Sequence, residues 1–197
     1  MAPENPFPAA IDQCHAVVRW VHANAETLGI DLWLISVGGD SAGGNLAAAL
    51  TLDFRGTGIA LLAQLLVYPA CDFDSSRASY IENTDGPLIQ VKGMDKVNTM
   101  YSPDVTQLTS NHRVAPLVAQ SHADLPPAYI AVAEHDPLRD SGVVYAEALQ
   151  AAGVPTVMTE GRGMIHGYLR AMDFCTASMD SLKAMSAWLA DQNGRVS

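Results

Sequence analysis

The chain is predicted to fold as α/β, with a mainly parallel sheet covered by helices on both faces. Short apolar runs alternate with segments of helical period from one end of the 197 residues to the other. Hydrophobic residues make up 49% of the chain and charged residues 16%, a balance typical of a globular protein. Because no repeat or linker divides it, we expect residues 1–197 to form a single domain.

Four elements are predicted in the first seventy residues. They are a helix over 11–28, a buried strand over 32–37, a helix over 41–54 and a second strand within 59–70. Gly29 follows the first helix and Pro69 ends the second strand, as expected for residues that stop these elements.

The second half of the chain begins with a mixed region, residues 72–127, in which a short helix is predicted over 93–101. The remaining elements are a strand over 128–134, a helix from Asp140 or Ser141 to Ala152, a strand over 154–160 and a final helix over 175–189. The alternation of strand and helix after residue 127 is typical of parallel strands joined by crossover helices.

Composition excludes several classes of partner. Lys and Arg number 11 against 21 Asp and Glu, and the net charge of -10 repels nucleic acids and anionic membrane surfaces. The apolar run 59–70 is too short to span a bilayer, so we expect no membrane association. Cys14, Cys71 and Cys175 are widely separated and predict buried thiols in a cytoplasmic protein. Because no motif with metal-ligand spacing occurs, neither a metal nor a cofactor is expected.

The sequence Gly39-Asp40-Ser41-Ala42-Gly43 fits the pattern G-x-S-x-G at a predicted strand–helix turn. A serine at the tip of such a turn has a strained backbone, and side chains two positions away would collide with the strand and helix. Small residues on both sides therefore predict a tight bend that exposes a nucleophilic Oγ. The alternative interpretation is an ordinary glycine-rich turn with a capping serine.

A nucleophilic serine needs a base and an orienting carboxylate, in the chain order Ser, Asp or Glu, His. Asp136 directly follows the third strand and His166 follows the fourth, so both lie at strand carboxyl ends. Asp136 before Pro137 is also compatible with a helix-initiating aspartate. Among the other histidines, His15 and His22 are interpreted as surface or packing residues and His135 as structural or solvated. His112 and His122 lie in loop sequence, and the sequence indicates no partner for them.

These motifs closely resemble those of the hormone-sensitive-lipase-like family of α/β-hydrolases, which are mostly bacterial esterases. The matching stretches are APENPFPAA (2–10), GDSAGGNLA (39–47), LPPAYIAVAEHDPLRDSG (125–142) and GMIHGY (163–168). The resemblance implies that Ser41 is the nucleophile, Asp136 the orienting acid and His166 the general base. It also implies that the backbone N–H of Ala42 is one donor of the oxyanion hole.

The sequence departs from the family at its start. Family members carry a longer N-terminal portion with cap helices and an HGGG loop, whereas Met1 here directly precedes APE and no His-Gly-Gly occurs. We therefore expect a truncated α/β-hydrolase fold with a non-standard oxyanion hole. The strand over 32–37 would have an open edge, and we expect a homo-oligomer that covers it.

The function implied is that of a serine carboxylesterase that hydrolyses short-chain acyl esters of small molecules through an acyl-enzyme. The absent HGGG loop motivates the alternative of a catalytically weak or dead remnant that acts as a binding or assembly module. Acyl transfer and amide hydrolysis by the same three residues also stay open, because the fold does not decide among them.

Overall fold

The computed structural model describes residues 2–194 and contains one four-stranded, all-parallel sheet. Its strands lie in the order β1-β2-β3-β4 and have these bounds: β1 Val37–Asp40, β2 Gln64–Val67, β3 Ala128–His135 and β4 Thr156–Ile165. Because all four run in the same direction, their carboxyl ends meet at one edge of the sheet. The α/β class predicted from the sequence is confirmed.

Eight α-helices connect and cover these strands within the described residues. Their bounds are α1 Ala9–Ala23, α2 Ala25–Leu28, α3 Ala42–Phe54, α4 Ala78–Glu82, α5 Met94–Tyr101, α6 Gln107–Ser110, α7 Arg139–Ala151 and α8 Thr176–Gly194. Helix α5 is the short helix predicted within the mixed region. Within the described part of the chain, no helix is long and apolar enough to cross a membrane.

Alternating side chains of the strands divide the core between the two faces of the sheet. On one face, Leu66 and Ile130 pack with the apolar sides of α1, α3 and α7. On the other face, Tyr129 and Ala131 pack with Met185 and Trp188 of α8. Helices therefore cover both faces, as predicted, and the period-two alternation of the strands explains how one strand serves two cores.

Strand β1 begins at Val37, the last residue of the strand predicted over residues 32–37, so that prediction is wrong for most of its length. Leu32–Leu34 form a 3-10 turn, in which the Asp31 carboxylate accepts the N–H of Trp33 at 2.9 Å. Sheet-like pairing begins only at Ile35, whose carbonyl accepts the N–H of Leu62 at 2.7 Å. The apolar residues that suggested a buried strand are exposed instead, because no strand of the described chain lies beside them.

Two predicted helix boundaries also differ from the structure. The first helix breaks at Asn24, whose side-chain amide donates to the Trp20 carbonyl at 2.8 Å, a local bond that competes with the backbone ladder. Helix α7 begins at Arg139 after Leu138, and neither Asp140 nor Ser141 caps it. The Ser141 hydroxyl instead accepts the backbone N–H groups of residues 71 and 72.

A partly buried carboxylate, Asp53, joins α1 and the 111–114 loop to α3. Asp53 accepts hydrogen bonds from His15 at 2.7 Å, His112 at 2.8 Å and Arg113 at 2.9 Å. His15 also stacks on Phe54, with ring centroids 4.7 Å apart. His112, for which the sequence offered no partner, thus has a structural one. Burial alone raises the pKa of Asp53, but the two histidine hydrogen bonds and the Arg113 charge outweigh burial and lower that pKa.

A carboxyl group whose pKa is lowered by folding stabilises the folded state above its unfolded pKa, and this contribution disappears as pH falls through the folded pKa. We therefore expect Asp53→Asn to lower the free energy of unfolding by about 1–3 kcal/mol at pH 7. The difference from the wild type should shrink below about pH 4. Urea denaturation followed by circular dichroism between pH 7 and pH 3 measures both quantities.

The matched control is Asp173→Asn, which removes the same charge from an exposed side chain. It should stay within about 0.5 kcal/mol of the wild type across this pH range. Equal effects of the two substitutions, or a loss at Asp53 that does not depend on pH, would contradict the role given to this carboxylate.

Candidate active site

The turn between β1 and α3 has the strained geometry expected of the G-x-S-x-G sequence. Ser41 lies between them with φ 55° and ψ -119°, in the positive-φ region that side chains rarely adopt. Its N–H donates to the Val67 carbonyl at 2.8 Å, and its carbonyl accepts the N–H of Asn45 at 3.1 Å. These two bonds tie the bend to β2 and to the first turn of α3.

The small residues around Ser41 do not all have the same function. A Cβ at Gly39 would overlap the backbone of Gly43, and a Cβ at Gly44 would lie 2.9 Å from Pro69. A Cβ at Gly43 would meet no atom within 4 Å. The prediction that side chains on both sides of the tip would collide is therefore correct for Gly39 and wrong for Gly43. The backbones of the two glycines can approach closely because Gly39 has no side chain.

The structure brings together the three side chains that the sequence singled out. His166 Nε2 lies 2.9 Å from Ser41 Oγ, and His166 Nδ1 lies 2.7 Å from Asp136 Oδ2. Asp136 is fully buried, His166 is 6% exposed and Ser41 is half-buried. A carboxylate at Nδ1 holds the proton there, which leaves Nε2 as a base facing the hydroxyl. This arrangement can take the serine proton while Oγ attacks an electrophile.

Both oxygens of the buried Asp136 carboxylate have hydrogen-bond partners. Oδ1 accepts the N–H of Leu138 at 2.8 Å, and Oδ2 faces His166. The following residue, Pro137, is held from outside the sheet, because its carbonyl accepts the hydroxyl of buried Ser79 in α4 at 2.7 Å. Desolvation of the carboxylate is thereby offset by hydrogen bonds on both oxygens. These contacts fix which way the carboxylate points.

Tyr68 is a further component of the site. It directly follows β2, has φ 35° and is almost fully buried. Its ring lies against the imidazole of His166, with centroids 4.6 Å apart, and its hydroxyl donates to Asp40 at 3.4 Å. Burial, and then the neighbouring Asp40 carboxylate, raise the pKa of Tyr68, so the phenol keeps its proton. The ring restricts how the imidazole can turn.

Ala42 lies where the resemblance requires it, as the exposed first residue of α3 directly after Ser41. The first N–H groups of a helix have no acceptor within the helix and carry a partial positive charge. The N–H of Ala42 therefore belongs to a set of donors that suits an oxygen atom developing negative charge beside Ser41.

The other polar candidates lie outside this cluster. His135 is exposed on the strand end next to Asp136, and buried His122 donates to the Pro116 carbonyl at 3.1 Å. The three cysteines are free; Cys71 is buried, but Cys14 and Cys175 are only half-buried, unlike the prediction. The cytoplasmic location inferred from them stays a prediction. Residues 2–194 contain no group of three or more His, Cys, Asp or Glu side chains able to hold a metal.

Sequence reasoning missed three residues that support the site: Tyr68, Ser79 and Glu134. Tyr68 had a usable signal, since it ends an apolar strand and precedes a proline. Glu134, whose carboxylate accepts the backbone N–H of Gly163 at 2.6 Å, stands within the quoted stretch around Asp136, but nothing in its spacing showed which atom it would contact. Ser79 lies in the mixed region and had no signal, because its partner is 58 residues away.

Comparison with known proteins finds relatives in sequence. Residues 1–170 match a family described as the alpha/beta hydrolase fold. Esterase LipI of Mycobacterium tuberculosis (strain ATCC 25618 / H37Rv) is 43% identical over 170 residues, which cover 86% of this chain and 53% of LipI. Carboxylesterase NlhH of Mycobacterium tuberculosis (strain CDC 1551 / Oshkosh) is 44% identical over 174 residues, which cover 86% of this chain and 54% of NlhH. The chain spans about half the length of these curated relatives.

The same likeness extends to solved structures. EstE1, a thermophilic and thermostable carboxylesterase cloned from a metagenomic library, superimposes with a TM-score of 0.92 at 33% identity. The superposition covers 98% of this chain and 66% of that chain. Sequence and fold therefore confirm the family resemblance inferred from the motifs.

The glycine geometry predicts opposite outcomes for two substitutions within one pentapeptide. Gly39→Ala forces a methyl group into the Gly43 backbone and should cost about 3 kcal/mol or more. Gly43→Ala adds a methyl group in open space within a helix and should leave stability within about 1 kcal/mol of the wild type, on the stabilising side. Thermal melting and soluble yield of the two variants measure the contrast. Similar melting temperatures for both would contradict the packing described.

Proposed function

We propose that this chain, which belongs to the α/β-hydrolase fold family, is a serine carboxylesterase that hydrolyses short-chain acyl esters of small molecules. The observation that carries the proposal is the hydrogen-bonded sequence of groups from Ser41 through His166 to Asp136, at 2.9 and 2.7 Å. The choice of esters over amides is supported by relatives named esterase and carboxylesterase.

In the first half of the reaction, Ser41 Oγ attacks the ester carbonyl carbon while His166 Nε2 takes the hydroxyl proton. The imidazolium that forms keeps its Nδ1–H on Asp136, whose charge stabilises it. The carbonyl oxygen becomes an oxyanion, and the N–H of Ala42 donates to it. When the tetrahedral intermediate collapses, the C–O bond to the alcohol breaks and His166 returns the proton to the leaving oxygen.

The second half of the reaction repeats these roles with water. His166 Nε2 takes a proton from water as its oxygen attacks the acyl carbon, and the same proton then protonates Ser41 Oγ as the acid leaves. His166 Nε2 is the base in both halves of the reaction, and it acts beside Ser41 Oγ in each. Tyr68, packed against the imidazole, and Leu138, bound to the carboxylate, limit the reorientation needed between them.

The preference for short acyl chains is inferred from the surface beside His166, which is lined by that residue but not by Ser41. A groove of about 420 Å³ lies along residues 163–178. Its walls include Leu88, which is 54% exposed, and Phe174, which is 84% exposed. A long acyl chain gains binding energy only by leaving water, and walls that are themselves exposed remove little of its surface from water. Additional methylene groups would therefore add little affinity.

Removing the nucleophile tests the mechanism. Ser41→Ala should lower kcat for p-nitrophenyl butyrate by about 10⁴-fold or more, because neither His166 nor Asp136 can form the acyl-enzyme. The measurement is steady-state release of p-nitrophenol, together with labelling by a fluorophosphonate probe, which reacts only with an activated serine.

Ser186→Ala, at an exposed position on α8, serves as the control and should keep wild-type rates and labelling. Wild-type turnover in Ser41→Ala would refute the assignment of the nucleophile. A correctly folded wild-type chain that neither labels nor turns over would favour the binding or assembly module instead.

We also propose that two copies of this chain associate side by side, through the outer side of strand β1. Among the strands of residues 2–194, β1 pairs with β2 alone, so its other side carries backbone groups that no described strand pairs with. Exposed large apolar side chains are concentrated in the segment that leads to β1: Val17, Trp20, Leu28, Ile30, Leu32, Trp33 and Leu34. A second copy would bring the same surface to it, and a two-fold arrangement closes after two chains.

Size-exclusion chromatography with light scattering should therefore give a dimer or larger species at micromolar concentration. Trp33→Glu, which charges a side chain that is 65% exposed in this segment, should shift the mass to that of a monomer. Val97→Glu, at a 63% exposed position on α5, should leave the mass unchanged. A wild-type chain that is monomeric throughout would contradict this association.

A further inference from the structure

The pairing of β3 with β4 changes register just before the site. Six consecutive pairs run from Ala128↔Thr156 to Ala133↔Gly161, and the next pair is His135↔Ile165. Strand β3 advances two residues over this interval while β4 advances four. The two additional residues of β4 are accommodated within residues 162–164, which form a bulge in the strand.

This bulge determines which residue faces Asp136. If the register of the first six pairs continued, Asp136 would lie beside Met164. The two additional residues move Ile165 opposite His135, so that the next residues of the two strands, Asp136 and His166, meet at 2.7 Å. The hydrogen-bonded contact between Asp136 and His166 at the centre of the site therefore depends on the bulge being held at this length.

One side chain of β3 holds the bulge. The carboxylate of Glu134 accepts the backbone N–H of Gly163 at 2.6 Å. Gly163 lies at the middle of the bulge with φ 69°, a conformation that glycine adopts at little cost. An N–H that the parallel ladder leaves without its regular partner is thus bound by a charged acceptor, a contact stronger than one to a neutral acceptor.

Glu134 is itself fixed in the sheet. It lies between Ala133 and His135, the two residues of β3 on either side of the register change, and is half-buried. Its carbonyl accepts a hydrogen bond from Arg139 Nη1 at 3.3 Å, and Arg139 also contacts Asp140 and Glu82. The carboxylate therefore extends from β3 to the bulge of β4 that precedes His166.

We infer that Glu134 is a positioning residue: it maintains the two-residue register change that puts His166 opposite Asp136. This inference rests on the proposed function only insofar as that pair serves hydrolysis. It assigns no contact with substrate to Glu134. Its action is through the backbone N–H of Gly163, so it requires a hydrogen-bond acceptor at that point and not a negative charge.

Three variants separate this role from simple stabilisation. Glu134→Ala should lower kcat for p-nitrophenyl butyrate by about 10- to 100-fold with KM within about twofold, because the base is displaced while the substrate surface is kept. Glu134→Gln keeps an acceptor oxygen and should restore at least half of wild-type kcat. Glu160→Ala removes an exposed carboxylate from the same end of β4 and should behave as the wild type.

A second readout does not depend on hydrolysis. The proton shared by His166 Nδ1 and Asp136 should give a far-downfield proton NMR resonance, assigned by its loss in His166→Gln. Glu134→Ala should broaden or remove that resonance, whereas Glu134→Gln and Glu160→Ala should retain it. This measurement tests Glu134 even if the wild type proves inactive, a result that would overturn the proposed function alone.

Two results would overturn the inference. One is a Glu134→Ala variant that keeps wild-type kcat and the downfield resonance, whatever happens to its melting temperature. The other is a Glu134→Gln variant that loses both as fully as Glu134→Ala, since the amide oxygen can still accept the Gly163 N–H. Thermal melting of all variants identifies any that fail to fold. Glu134→Gln is isosteric with the wild type, so it is the variant in which we least expect misfolding.

Discussion

Parallel pairing of the four strands is the constraint on which the site depends. Each strand is followed immediately by one residue of the site: Ser41 after β1, Tyr68 after β2, Asp136 after β3 and His166 after β4. Because parallel strands end at the same edge, residues 125 positions apart come within hydrogen-bond distance. No long loop is therefore needed to bring these four residues together. They meet because the four strands end side by side.

Two of the three non-glycine residues with positive φ in the described part of the chain lie at this same edge. Ser41 and Tyr68 both have positive φ although neither is glycine, and each bonds through its N–H to the neighbouring strand. Such conformations cost about 1–3 kcal/mol each and persist only where surrounding structure determines them. Here the determinants are the buried strands below and the clearance that Gly39 provides. Strain and packing are consequently two aspects of one arrangement at the end of the sheet.

The whole chain has a net charge of -10, but each carboxylate considered at this end of the sheet interacts with hydrogen-bond donors in direct contact with it. The Asp136 carboxylate is buried yet hydrogen-bonded at both oxygens, and Glu134, two residues earlier in the chain, accepts the backbone N–H of Gly163 in β4. One acidic residue therefore faces the imidazole while the other binds the bulge of β4 that precedes it. Because Glu134 and Asp136 are two positions apart, the end of β3 both binds the backbone of β4 before His166 and provides the carboxylate that faces His166.

The sequence by itself determined the α/β class, most of the helices, the bend at Ser41 and the order of the three residues at the centre of the candidate site. These follow from local patterns: hydrophobic period, glycine spacing and residues at strand ends. The tertiary structure decided what depends on a distant partner. The turn at Leu32–Leu34, the histidine contacts of Asp53 and the register change beside Glu134 are set by neighbours far away in sequence, which no local pattern specifies.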